Sequence, residues 1–117
     1  MSEQENAAIA CNMNAISAAD RPQHEQIVHA LFASVLEVQE RADGYAFRLP
    51  TDSAMLVRTA QWIANERLCC PFFEFGLQIK SQDSLWLSLT GSEAIKQFIR
   101  LEFGAVLKPE IAGMFAG

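Results

Sequence analysis

Two adjacent cysteines are the residues of this chain whose type and spacing offer a chemistry. Cys69 and Cys70 lie directly before Pro71, where the sequence pattern changes from that of a helix to that of a strand. Neighbouring thiols can bind a soft metal ion, exchange disulfides or fill a core. Because Pro71 favours extended backbone at Cys70, the two side chains diverge unless the junction bends. A bond between Cys69 and Cys70 would need a strained ring, and we discount it.

The position of these cysteines does not favour a nucleophilic role. The C-terminus of a helix carries partial negative charge, which raises the pKa of a thiol. A catalytic cysteine also needs a base, and the only histidines, His24 and His29, are spaced so that at most one can reach the thiols. The sequence has no Gly-rich phosphate loop and no distinctive carboxylate pair. We therefore expect no catalytic residue and no nucleotide or organic cofactor, and a thiol redox or detoxification enzyme ranks third among the functions.

Metal ligation does not require a low thiol pKa, because the ion itself displaces the proton. Soft thiolates suit zinc and copper(I), and also heavier thiophilic species such as mercury(II) and arsenite. Cys11 would complete a three-sulfur site, and Glu66 or His24 would add a fourth ligand. The alternative is that the cysteines only pack, as buried free cysteines often do. On the residues alone, packing ranks ahead of ligation.

The composition describes a single globular domain. Half of the 117 residues are hydrophobic and one fifth are charged. The net charge of −5 argues against nucleic acid as a partner, since phosphate binding depends on clustered Lys and Arg. The apolar runs are shorter than the about 20 residues of a membrane helix, so no membrane partner is expected. The acidic N-terminus is unlike a secretory signal, and we expect a cytoplasmic protein with reduced thiols and no disulfide framework.

The hydrophobic periodicity predicts an α+β fold, with an N-terminal helix followed by two strand-strand-helix units. The single domain 1–117 divides into an N-terminal segment with partial disorder (1–18), an α+β core (19–104) and a C-terminal tail (105–117). Asp20 is the expected cap of the first helix. We expect a hairpin between the first two strands, with Asp43-Gly44 as turn residues at positive φ.

The second half of the chain repeats this order. A helix is predicted at about residues 53–69, with its cap within 51–53 and its stop at Pro71. Its expected buried stripe consists of Leu56, Ala60, Ile63 and Ala64. Two strands and a last helix ending at Gly104 follow. Together these elements predict a four-stranded, mainly antiparallel sheet with the helices on one face.

The opposite face of the sheet would be mainly polar. By strand alternation it carries Glu37, Gln39, Arg48, Glu74, Trp86 and Ser88. A Trp among polar residues suggests a covered face, most economically in a homodimer. The alternative is a Trp packed by the stems of its neighbours. The second function hypothesis is therefore a dimeric protein-interaction module with purely structural cysteines, whose working surface is the Trp86 face.

The run 62–75, which contains Glu66-Arg67-Leu68-Cys69-Cys70-Pro71-Phe72-Phe73, resembles the signature of small bacterial proteins with an E-R-x-C-C-P-F-F core. It is also similar to segments appended to MerR-type heavy-metal-responsive regulators. The likeness extends over about residues 10–103, and includes Ala10-Cys11 and 43–50. It implies a link to thiophilic-metal physiology. DNA binding does not carry over, because the chain has no helix-turn-helix of its own.

With this resemblance, ligation ranks ahead of packing. The predicted function is non-enzymatic binding of a soft or thiophilic metal ion, for sequestration or sensing. Cys69 and Cys70 are the expected ligands, Cys11 is the third, and Glu66 is a weaker contributor.

Overall fold

The computed structural model describes residues 10–81 and 84–115, and its elements follow the predicted order. The helices are α1 (Arg21–Ala33), α2 (Ser53–Cys69), α3 (Glu93–Gly104) and the short α4 (Pro109–Ala112), with 3₁₀ turns at Met13–Ala15 and Gly113–Phe115. The strands are β1 (Glu37–Arg41), β2 (Gly44–Leu49), β3 (Glu74–Lys80) and β4 (Ser84–Thr90). They form one antiparallel sheet in the order β1-β2-β4-β3. The predicted α+β class with two strand-strand-helix units is confirmed.

Aromatic side chains join the helices to one face of the sheet. Phe32 of α1 meets Phe47 of β2 edge-on, with ring centroids 5.3 Å apart, and meets Trp62 of α2 at 5.4 Å. It also stacks on Phe103 of α3 at 4.6 Å. Phe32, Phe47 and Trp62 are fully buried. The core therefore lies between the three long helices and the inner face of the two hairpins.

The β1–β2 hairpin is confirmed, but the conformation of its turn differs from the prediction. Ala42 and Asp43 form the turn, while Gly44 already pairs with Arg41 and Thr90. No described glycine has a positive φ, and Asp43 has none either. The predicted positive φ values are therefore wrong. The site requires glycine because it has no room for a side chain: a Cβ atom at Gly44 would collide with the carbonyl oxygen of Leu89.

Replacing Gly44 by alanine should lower the free energy of unfolding by about 1–3 kcal/mol, the usual cost of forcing an extra carbon into a packed site. The clash is with backbone, which cannot turn aside as a flexible side chain does. Urea denaturation followed by circular dichroism measures the change. Gly113→Ala is the matched control, since nothing lies within 4 Å of a Cβ at that position. Equal urea midpoints for the two variants would contradict this account.

The buried face of α2 is not the predicted one. Its buried residues are Met55, Thr59, Trp62, Glu66 and Cys69. The predicted stripe of Leu56, Ala60, Ile63 and Ala64 is half-buried or exposed. The observed stripe has the same helical spacing but is shifted by one residue, which rotates it around the helix axis. It places the large Trp62 in the core. This rotation brings Glu66 and Cys69 inward.

The helix caps are partly as predicted. The Asp52 side chain accepts a hydrogen bond from the backbone nitrogen of Met55 at 2.8 Å, so α2 has its expected cap. Asp20 precedes α1 as predicted, but its carboxylate makes no capping hydrogen bond. It accepts from the Ser17 hydroxyl at 2.8 Å instead. The predicted capping role of the Asp20 side chain is therefore wrong.

The described parts of both terminal segments belong to the core. Ile16, in the predicted N-terminal segment, is buried, and residues 1–9 of that segment lie outside the described residues. In the segment predicted as a tail, Ile111 and Phe115 are buried, and Phe115 meets Tyr45 edge-on at 4.8 Å. Among the described helices, none has the length and apolar character that crossing a bilayer requires.

The outer face of the sheet carries the predicted polar residues. The strand register aligns Glu37, Arg48, Trp86 and Gln78 across the four strands. Trp86 is only 9% exposed in the single chain, between Arg48 and Gln78 on its neighbouring strands. Its burial within one chain favours the interpretation that neighbouring side chains pack against it. The homodimer stays a prediction.

Candidate metal centre

Four potential ligand atoms lie together at the C-terminal end of α2. The sulfur atoms of Cys11, Cys69 and Cys70 and a carboxylate oxygen of Glu66 are all within 4.8 Å of one another. Glu66, Cys69 and Cys70 are buried, and Cys11 is half-buried. The structure thus brings together the four residues singled out from the sequence. Three sulfur donors and one oxygen donor form a set that suits soft ions.

Cys11 is held at this place by backbone and side-chain contacts of the N-terminal segment. The backbone nitrogen of Asn12 donates to the carbonyl oxygen of Cys69 at 2.8 Å. The Arg21 guanidinium of α1 donates to the carbonyl oxygens of Met13 and Ile16, at 2.9 and 3.0 Å. These contacts fasten the segment across the ends of α1 and α2.

The Cys-Cys-Pro junction bends, so the two neighbouring side chains do not diverge. The backbone nitrogen of Cys70 donates to the carbonyl oxygen of Glu66 at 2.7 Å, which is the last hydrogen bond of α2. Cys70 itself has φ −127° and ψ 69°, outside the helical region, as expected before Pro71. The sulfur atoms of Cys69 and Cys70 come within 3.6 Å of each other.

A disulfide joins Cys11 to Cys70, with Cα atoms 4.8 Å apart, and Cys69 remains a free thiol. The expectation that all three thiols are reduced is therefore wrong for this structure. The odd cysteine count argued against a disulfide framework, but it does not prevent one bond beside one free thiol. The bond forms because the N-terminal segment passes directly over the end of α2. The vicinal Cys69–Cys70 bond that we discounted is not the one formed.

Glu66 connects the free thiol to a buried histidine. Its Oε1 atom lies 2.8 Å from Nε2 of His24, and both side chains are buried. The Cys69 thiol donates to the same carboxylate oxygen and to the Glu66 carbonyl oxygen, each at 3.5 Å. His24, the alternative fourth ligand, therefore contacts Glu66 and is not in the cluster of four. Its Nδ1 atom is buried and has no hydrogen-bond partner among the described residues.

The surroundings of Cys69 raise the pKa of its thiol to about 12. Burial is the main cause, and the negative charge and hydrogen bond of Glu66 add to it. The predicted increase in the pKa of this thiol is confirmed. Its causes are burial and Glu66, whereas the predicted cause is the negative end of the helix dipole. A thiol that keeps its proton at neutral pH is a poor nucleophile, which weighs against a catalytic cysteine.

Cys69 should react slowly with iodoacetamide near neutral pH in the folded, oxidised protein. A pKa of about 12 leaves so little thiolate that we expect labelling at least about 100-fold slower than that of a free thiol. Mass spectrometry of the native and the urea-unfolded protein, both without reductant, measures the difference. Equal labelling rates in the two states would contradict the burial of this thiol.

The same pKa shift predicts a loss of stability at alkaline pH. The folded-state pKa of Cys69 lies above its ordinary value of 9.0, so the unfolded state loses its proton first. The contribution is fully present below about pH 9 and disappears as the pH rises to about 12. Urea midpoints measured over this range should therefore fall more steeply for the wild type than for Cys69→Ala. Parallel curves would count against the shift.

A cavity of about 520 Å³ lies beside the cysteine cluster. Cys11, Cys69, Glu66 and His24 line it, and Cys70 does not. The remaining walls are mainly apolar, formed by Ala10, Met13, Val28, Phe98, Phe103 and Val106. Glu25, His29 and Glu102, which are exposed, complete the lining on the solvent side. A small molecule in this cavity would lie beside two of the three cysteines.

Three features of this site were not predicted from the sequence: the Cys11–Cys70 pairing, the Glu66–His24 contact and the cavity. One signal was available, because Glu66 precedes Cys69 by three residues and therefore shares its helix face. A buried carboxylate on that face needs a partner, and a histidine is one of the side chains that can supply it. The other two features depend on the path of the N-terminal segment, which the sequence pattern does not show.

Comparisons of the chain with protein-family models, with curated proteins and with solved structures found no match. The likeness to segments of metal-responsive regulators therefore stays a prediction.

Proposed function

We propose that the reduced protein binds one soft metal or metalloid ion through Cys11, Cys69 and Cys70, with Glu66 beside them. The observation that carries this proposal is the clustering of three sulfur atoms and one carboxylate oxygen within 4.8 Å. Thiolates select soft ions such as copper(I), zinc, mercury(II) and arsenite over hard ones. The resemblance to segments of heavy-metal-responsive regulators supports the same class of ligand.

The disulfide makes this binding dependent on redox state. Cys11 and Cys70 share a bond, so two of the three sulfur donors are occupied in the oxidised chain. Two electrons and two protons convert that bond into two thiols. We therefore expect the site to accept an ion only after reduction, and to release or refuse it when the disulfide forms.

The charge around Cys69 favours a cation over a free thiolate. Burial and the Glu66 carboxylate raise the pKa of this thiol, which means that they oppose an added negative charge. A bound cation neutralises the thiolate and the nearby carboxylate together, and it displaces the proton on binding. The features that make Cys69 a weak nucleophile are therefore compatible with a ligand role.

Titration of the reduced protein with zinc, copper(I), mercury(II) and arsenite tests the proposal. We expect one equivalent of at least one of these species to bind, and the Cys69→Ser/Cys70→Ser variant to bind it at least about 100-fold more weakly, as expected when two ligands are lost. Glu66→Gln should weaken binding less than the cysteine changes do. Glu102→Gln, on the solvent side of the cavity, is its matched control.

Circular dichroism verifies that each variant remains folded. Unchanged affinity in the Cys69→Ser/Cys70→Ser variant, or no binding of any of the four species to the reduced wild type, would contradict the proposal.

A further inference from the structure

We propose that the preferred ligand of this site is a thiophilic centre that carries one uncharged hydrocarbon group, with that group lying in the cavity beside Cys11 and Cys69. The inference rests on the proposed function and specifies its ligand class. An organoarsenic(III) compound is the test case, because arsenic(III) has three bonding positions and can use them for sulfur or for carbon.

The size and the walls of the cavity support a hydrocarbon group. Its volume of about 520 Å³ is within the range of about 300–1,000 Å³ that small-molecule sites occupy. Val28, Phe98, Phe103 and Val106 give it apolar walls that can contact an aromatic ring. A bare ion held by the sulfur atoms would leave these walls without a partner.

Two of the three cysteines line the cavity, which is the number of thiols that an organoarsenic centre needs. Cys11 and Cys69 are among the lining residues, and Cys70 is not. Inorganic arsenite gains a third As–S bond from a third thiol, and with only two thiols it keeps one hydroxyl group. Phenylarsonous acid requires two, because the ring keeps the third position.

The binding reaction balances without a change in oxidation state. Once a thiol reductant has opened the Cys11–Cys70 disulfide, the thiols of Cys11 and Cys69 each form an As–S bond. Two As–O bonds of phenylarsonous acid break, and the two hydroxyl groups leave as water with the thiol protons. Arsenic remains arsenic(III), and the As–C bond remains intact.

The negative charge of the cavity lining favours a hydrocarbon group that carries no anionic substituent. The carboxylates of Glu25, Glu66 and Glu102 line it, and no lysine or arginine does so among the described residues. An anionic substituent would be repelled there. His24 is 3% exposed, lines the cavity and has an Nδ1 atom without a partner among the described residues, so the wall has a polar group that is not satisfied internally.

The test compares phenylarsonous acid with arsenite on the reduced wild type and on Cys70→Ser. Removing Cys70 should weaken arsenite binding at least about 30-fold and phenylarsonous acid binding at most about threefold, since only arsenite has a third position for a sulfur atom. Equal losses for the two probes would overturn the inference. If neither probe binds to the wild type, both this inference and arsenite as a ligand of the site are overturned. If arsenite binds and phenylarsonous acid does not, only this inference is overturned.

Two further measurements examine the cavity itself. Val28→Phe should fill it and weaken phenylarsonous acid binding at least about tenfold while leaving arsenite binding within about twofold. Val57→Phe, at an exposed position of α2 outside the cavity, is the matched control. Retained arsenite binding verifies that the sulfur cluster of Val28→Phe is intact.

On the wild type, 4-carboxyphenylarsonous acid should bind at least about tenfold more weakly than the phenyl compound. Dithiothreitol, which has no cavity, gives the reference ratio for the two compounds. If Val28→Phe does not fold, the comparison of these two compounds is sufficient to test the cavity. If the ratio of their affinities for the protein equals the ratio for dithiothreitol, the inference is overturned.

Discussion

Replacing Cys11 by serine should lower the free energy of unfolding of the oxidised protein by about 4 kcal/mol. The disulfide joins residues separated by 59 positions, and a cross-link of that span removes much conformational freedom from the unfolded chain. It also fastens the N-terminal segment to the end of α2, where Asn12 already donates a hydrogen bond to Cys69. Urea denaturation of wild type and Cys11→Ser, each with and without reductant, measures the effect.

Two comparisons isolate the disulfide from other effects of the substitution. Reductant should destabilise the wild type by a similar amount and leave Cys11→Ser unchanged. Cys69→Ser, which keeps the disulfide, should respond to reductant as the wild type does. A wild type whose urea midpoint does not move with reductant would contradict this prediction.

Replacing Glu66 by alanine should lower the free energy of unfolding by about 3 kcal/mol, within the range for breaking a buried hydrogen-bonded pair. His24 is 3% exposed and its Nε2 atom contacts the Glu66 carboxylate at 2.8 Å. Nδ1 has no partner among the described residues, so loss of the carboxylate leaves both ring nitrogens of His24 without a hydrogen-bond partner in that part of the chain. The same urea measurement gives the change.

Glu66→Gln should cost less than Glu66→Ala, since an amide oxygen can still accept from the imidazole. In a double-mutant cycle, Glu66→Ala combined with His24→Ala should cost less than the sum of the two single changes. Glu102→Ala, an exposed position on the same cavity, should have little effect. A Glu66→Ala variant as stable as Glu102→Ala would show that the buried pair does not support the fold.

The fold was predictable from the sequence wherever local signals agree with packing. Asp52 caps α2 and Pro71 follows its end, so the bounds of this helix, Ser53–Cys69, match the predicted range. The alternating residues of the two hairpins identified all four strands. Strand order was open, because two such units can pair in more than one way, and the antiparallel β2–β4 contact is a tertiary choice.

The buried face of α2 was not predictable from hydrophobicity, for a reason that also concerns the site. Its true stripe contains Thr59 and Glu66, which a search for apolar residues passes over. Thr59 is tolerated because its hydroxyl donates to the Met55 carbonyl oxygen at 2.7 Å, and Glu66 because His24 and Cys69 hydrogen-bond to it. The buried face of α2 therefore includes polar residues that have hydrogen-bond partners, and this is the face that carries Glu66 and Cys69 of the candidate site.

The candidate site was predictable in its members and not in its bonding. Cys11, Glu66, Cys69 and Cys70 were named from the residues and the resemblance, and the structure clusters them. Which two cysteines pair depends on the path of the N-terminal segment, and Arg21 donates hydrogen bonds to two backbone carbonyl groups of that segment. Such contacts have no periodicity, so the sequence does not reveal them.

Native mass spectrometry can show whether the three cysteines form a metal centre, with the oxidised and the reduced protein each mixed with zinc, copper(I), mercury(II) and arsenite in turn. We expect one bound equivalent per chain for at least one species in the reduced protein, and no such adduct in the oxidised protein, where Cys11 and Cys70 are bonded. The mass should also show the loss of the thiol protons that the bound ion displaces. Equal binding to both forms, or no adduct with the reduced form, would contradict a metal centre built from these three cysteines.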